Sequence, residues 1–183
     1  MDRNVRKHID DLSSTDDKIR LNALQALLKE TETPVDWVYE VWDLLLEKLE
    51  NENSYQRSIG IMLLCNLAKS DSENRLKSCL DRLLAHTKDE KFITSRQCIQ
   101  NIWKVAAANK SNRVKVLSHL ETRFLECEPE KHYNLLRQDI VQSMVFLNRC
   151  EEDNKFPARL QALIEAEQNM KYRKQYQALM KVK

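Results

Sequence analysis

The sequence predicts an all-α protein built from successive helix pairs, and three observations carry that prediction. The first is glycine: the 183 residues hold one, Gly60, beside three prolines, Pro34, Pro129 and Pro157. Hairpins, bulges and phosphate-cradling loops all draw on glycine, so sheet folds and nucleotide-binding folds nearly drop out. The second is periodicity, with apolar residues returning every three or four positions along most of the chain. The third is recurrence. The stretch from Asp16 to Glu50, DDKIRLNALQALLKE then VYEVWDLLLEKLE, has counterparts further along. A helix pair with two apolar faces cannot cover both alone and needs neighbours of its own kind.

A short opening helix is predicted from Asn4 to Leu12, with Val5, Ile9 and Leu12 on one face, as a cap on the array. Ser13 to Asp16 supply N-capping side chains to a helix that reaches about Thr31. Its apolar residues form two adjacent lines, Ile19, Ala23, Leu27 and Leu21, Leu24, Leu28, as a helix packed on two neighbours requires. Thr33-Pro34-Val35-Asp36 then reads as a start signal, with Thr as N-cap and Pro at the first helical position. The helix predicted from it buries Val38, Val41, Trp42, Leu45 and Leu49.

Asn53 or Ser54 caps a third long helix, with Ile59, Met62, Leu63 and Leu67 inward. Ser72 is the expected cap of a fourth, striped by Leu76, Cys79, Leu80, Leu83 and Leu84. A charged link, Lys88 to Lys91, leads to a fifth carrying Ile99, Ile102, Trp103 and Ala106. Ser111 opens a sixth, with Val114, Leu117, Leu120 and Phe124 inward. Glu128-Pro129 is the expected start of a seventh, with Leu136, Ile140, Met144 and Leu147, and the segment NRCEED ends it. Pro157 falls near the first turn of a last helix, interrupted or not, that runs to the C-terminus.

The first helices of successive pairs align on an arginine: Arg20-Leu-Asn-Ala23, Arg57-Ser-Ile-Gly60, Arg96-Gln-Cys-Ile99 and Arg137-Gln-Asp-Ile140. Seven residues after each stand Leu27, Leu64, Trp103 and Met144, and the arginines are 37, 39 and 41 residues apart. Those spacings belong to two-helix solenoid repeats. The chain therefore resembles a HEAT-repeat array of the armadillo-like superfold, from about Asp16 to the C-terminus. The family carries an arginine near this place and a small residue in mid-helix; Ala23 and Gly60 match, Ile99 and Ile140 do not. At the level of fold alone it is also similar to the HEAT-like DNA alkylpurine glycosylases. The resemblance implies a right-handed α-α superhelix of about four repeats in a single domain, 1–183. The repeats are bounded at 16–52, 53–91, 92–128 and 129–183, with 1–15 as N-terminal cap. The repeated arginine is expected to bond loop carbonyls or acids of the neighbouring repeat. Gly60 is expected to mark a close helix crossing.

No catalytic motif is present. His8, His86, His119 and His132 are scattered, no Cys/His pattern has metal-ligand spacing, and no glycine loop or GxSxG occurs. The chain is therefore read as a non-enzyme with no cofactor or metal. The five cysteines include no CxxC pair and suit buried, reduced thiols. The longest apolar run, Ile59 to Cys65, is far short of a membrane span, and a cytoplasmic protein is expected.

The functional candidates lie in charge. Net charge is +2, but residues 1–90 hold 13 Lys+Arg against 18 Asp+Glu (−5), and residues 91–183 hold 17 against 10 (+7). Asp36, Glu40, Asp43, Glu47 and Glu50 recur at steps of 4, 3, 4 and 3, which places them on one face of the second helix. Trp37 and Tyr39 lie beside them, either as anchors for a partner or packed on a neighbouring helix. In HEAT proteins the second helices line the concave side, so a protein or peptide partner, basic in character, is the expected ligand. The tail KYRKQYQALMKVK interleaves Lys171, Arg173, Lys174, Lys181 and Lys183 with Tyr172 and Tyr176. That secondary basic surface makes nucleic-acid binding the alternative.

Overall fold

The computed structural model describes residues 1–150 and 156–181. Glu151, Glu152 and Asp153 of the segment expected to end the seventh helix, and Lys183 of the basic tail, lie outside them. Among the described residues the regular elements are all helical and no β-strand occurs. The buried apolar side chains form one cluster running from Val5 to Tyr176.

Helix starts follow local chemistry. Asp2 caps α1 (Arg3–Asp11) by accepting the Val5 N–H at 2.8 Å. Asp16 caps α2 (Asp17–Glu30) through Lys18 and Ile19, and Asn53 caps α4 (Ser54–Leu67) through Tyr55. These short acceptors satisfy N–H groups that no preceding turn can reach.

The second helix departs from expectation. No helix begins at Pro34; a 3-10 turn spans Val38–Glu40, and α3 covers only Trp42–Leu49. Two tertiary bonds hold the preceding chain away from helical form. The Val35 N–H donates to Ser70 Oγ at 3.0 Å, and the Tyr39 hydroxyl donates to Asp71 Oδ1 at 2.9 Å.

α5 (Leu76–Ala85) starts four residues after the predicted cap. Asp71, not Ser72, accepts the N–H groups of Arg75 and Leu76, at 2.9 and 2.8 Å. The predicted fifth helix is observed as α6 (Phe92–Asn101) and α7 (Trp103–Ala108), stepped at Ile102. α8 (Lys110–Glu126) is capped by Asn109 rather than Ser111, and Val114 points to solvent instead of inward. α9 (Tyr133–Cys150) begins four residues past Pro129. The residues between form a turn in which Arg123 holds the Glu130 carboxylate and His132 takes a left-handed φ of 63°. A residue in that conformation cannot continue a right-handed helix. α10 (Phe156–Glu165) and α11 (Met170–Lys181) divide the last predicted helix in two.

The helices that carry the aligned arginines pack in succession: α2 on α4, α4 on α6, α6 on α9. In addition α3 packs on α4, α5 on α8, and α10 and α11 on α9. A Cβ built on Gly60 would lie 3.0 Å from the Leu45 carbonyl oxygen and 3.1 Å from Lys48 Cβ. That close approach of α3 and α4 is what the lone glycine permits.

All four aligned arginines are turned onto carbonyls or acids. Arg20 donates to the Ser14 carbonyl and pairs with Asp17. Arg57 takes the carbonyls of Asn51 and Glu52, each at 2.9 Å, and Asp89 beyond. Arg96 binds Asp139 at 2.6 and 3.1 Å. Arg137 takes the Phe124 carbonyl at 2.9 Å and Glu167 at 2.8 Å. Three of the four residues seven places on, Leu27, Leu64 and Met144, are buried, and Trp103 is half-buried.

Candidate functional site: an acidic face and an adjoining groove

The five acids of the second helix are all exposed, but they do not share one helical face. A 3-10 turn advances three residues per turn, so Asp36 and Glu40 are out of step with Asp43, Glu47 and Glu50. Two are already paired. Glu40 accepts the Met1 nitrogen at 3.0 Å, and Glu50 accepts Arg82 of α5 at 3.0 Å. Asp36, Asp43 and Glu47 form no ion pair among the described residues.

Both aromatics are engaged within the chain. Trp37 is 5% exposed and belongs to the core. The turn that replaces the helix swings its indole inward, where burying so large an apolar surface is favourable. Tyr39 is engaged within the chain. Its oxygen donates to Asp71 and accepts the Glu73 N–H at 2.7 Å; its ring lies 4.2 Å beneath Arg75 and 5.9 Å from Trp42. It organises the turn that starts α5.

The basic tail is partly spent in the same way. Arg173 donates twice to the Glu167 carbonyl, at 2.8 and 2.5 Å, and Tyr176 is fully buried with its hydroxyl on the Asn134 carbonyl at 3.0 Å. Lys171 and Lys174 remain exposed on α11.

A different recess lies on the α2–α4 side. Leu21, Leu24, Leu28, Ile59 and Met62 line an apolar groove of about 450 Å³. Leu21 is 53% exposed and Tyr55, at one end, 65% exposed. Gln97 of α6 also lines this groove, and its amide oxygen is buried without a hydrogen-bond partner among the described residues. Arg20 lies 5.3 Å over the Tyr55 ring, and the two separate the groove from a polar hollow of about 680 Å³. Within that hollow Lys48 is 5% exposed. Its ammonium meets only neutral acceptors, Ser13 Oγ at 3.3 Å and Gln56 Oε1. No carboxylate among the described residues pairs with it, and burial pushes its pKa below the ordinary lysine value.

Sequence reading passed over Lys48 because lysine is so seldom buried. The signal was present: Lys48 follows Leu45 by three positions and precedes Leu49, within the apolar stripe. Gln97 carried no such signal, since only the approach of α2 to α4 makes the groove beside it.

No protein-family model matches the chain, and no curated protein matches it in sequence. Among the described residues no group of three or more His, Cys, Asp or Glu side chains is placed to hold a metal ion. No described helix is long and apolar enough to cross a membrane.

Proposed function

We propose that this chain is a non-enzymatic scaffold of the HEAT type, a right-handed α-α superhelix of about four two-helix repeats that binds another protein. The observation that carries the reading is the succession of α2, α4, α6 and α9. Each bears an arginine at the same place, bonded to carbonyls or acids, and each packs on the next. A stack of this kind exposes a long lateral surface on rigid elements, which suits holding a partner. Asp36, Asp43 and Glu47 supply that surface with carboxylates free for a basic partner.

The test is affinity recovery from cell extract with the native chain and an Asp43→Lys/Glu47→Lys double variant. A partner retained by the native chain and lost by the variant is expected. An identical set of partners on both rules out the acidic face. Small-angle scattering tests the architecture separately: a superhelix gives an elongated envelope, and a spherical one removes it.

Exposed Lys171 and Lys174, with the +7 balance of residues 91–183, favour nucleic acid as the second reading. That binding weakens steeply with salt. Duplex DNA left unbound at low salt excludes it.

A further inference from the structure

We propose that the groove between α2 and α4, together with the Lys48 hollow beside it, docks a peptide segment of a partner protein that joins apolar side chains to a carboxylate. The proposal rests on the scaffold reading and uses a surface that meets the acidic face only at Glu47.

Two observations fix the chemistry of the occupant. First, Lys48 is buried with Ser13 and Gln56 as its hydrogen-bond acceptors and no carboxylate paired with it. A buried cation without a counter-ion is costly, and an incoming carboxylate relieves that cost. The two acids nearby do not fill this role: Asp17 is committed to Arg20, and Glu47 stands exposed at the rim. Second, the neighbouring groove has Leu21, Leu24, Leu28, Ile59 and Met62 in its lining and is of ligand-binding size. The two recesses adjoin at Asp17, Arg20 and Tyr55, so an extended occupant that crosses this rim reaches both. The scaffold reading makes a segment of a partner protein, rather than a fatty acid, the carrier of that apolar and acidic chemistry.

The deciding experiment displays random twelve-residue peptides against the whole chain and sequences those retained. The expected yield is enriched for leucine, isoleucine or phenylalanine next to aspartate or glutamate. Synthetic copies of the winners bind at least tenfold more weakly to Lys48→Met, which keeps the aliphatic stem. They bind at least tenfold more weakly to Leu21→Glu, which alters an exposed rim. Asp36→Lys/Asp43→Lys, on the acidic face and outside both recesses, leaves their affinity within twofold, so failure of the acidic-face reading is distinguishable from failure of this one. Winners that lack acids, or that bind both groove variants as well as the native chain, overturn the proposal. So does displacement of the winners by decanoate at concentrations that match its own binding, which assigns the groove to a fatty acid. A screen that enriches nothing overturns it as well.

Discussion

Arg57 and Asp89 meet through two parallel bonds, Nε to Oδ2 and Nη2 to Oδ1, both 2.8 Å, and so tie the start of α4 to the turn before α6. Burial raises the Asp89 pKa. The Arg57 guanidinium, the Lys91 N–H and His86 outweigh it and hold the carboxyl at about 2. A depressed carboxyl contributes stability above its unfolded value, and that stability fades as pH falls through the folded one. About 2 kcal/mol is therefore expected to vanish between roughly pH 4 and pH 2. Urea melts of the native chain and Asp89→Asn check it: the native curve steepens across that window and the variant's does not.

Gly60→Ala puts a methyl group 3.0 Å from the Leu45 carbonyl oxygen, which belongs to backbone and cannot swing aside. Alanine favours the helix by about 1 kcal/mol, but overpacking costs about 1 to 3 kcal/mol. A lower urea midpoint with an unchanged slope is expected, and a midpoint raised by the substitution would contradict the close crossing.

Arg137 and Glu167 form an ion pair in which both side chains are almost wholly buried. Removing one partner leaves the other charge unpaired in the core. Glu167→Ala is expected to lose about 3 to 5 kcal/mol by chemical denaturation, against less than about 1 for an exposed pair such as Arg82 with Glu50.

Trp37→Ala is expected to act on folding rather than on partner affinity. Its core position implies a loss of about 3 to 5 kcal/mol. The neighbouring Asp36→Ala changes stability by less than about 0.5 kcal/mol, because the side chain is exposed and makes no ion pair among the described residues. Thermal melts of the two variants separate these outcomes.

Thiol labelling reports the packing of the cysteines. Cys65 is fully buried, and desolvation pushes its thiol up to about 12. Cys150 is exposed. Iodoacetamide at neutral pH is expected to modify Cys150 first and to reach Cys65 only on unfolding, as mass spectrometry of timed samples will show.

Local chemistry determined much of this protein from the sequence alone. Apolar residues at helical spacing placed the long helices, and the segments Ser13 to Asp16 and Asn53-Ser54 marked two starts, where Asp16 and Asn53 are the caps, because an N-cap is settled by a few adjacent residues. The arginines at 20, 57, 96 and 137 were legible as structural for a related reason. A guanidinium with five fixed donors, recurring at the head of each apolar stripe, has carbonyls within its reach. Tertiary contact decided the rest. Ser70 and Asp71, more than thirty residues away, hold Val35 and Tyr39 out of a helix that Pro34 announced, and so break the acidic stripe and bury Trp37. Periodicity says which face of a helix is apolar, but not how deep a neighbour lies over it. That depth left Leu21 at the rim of a groove, sank Lys48 with no carboxylate beside it, and brought Gln97 to the same recess.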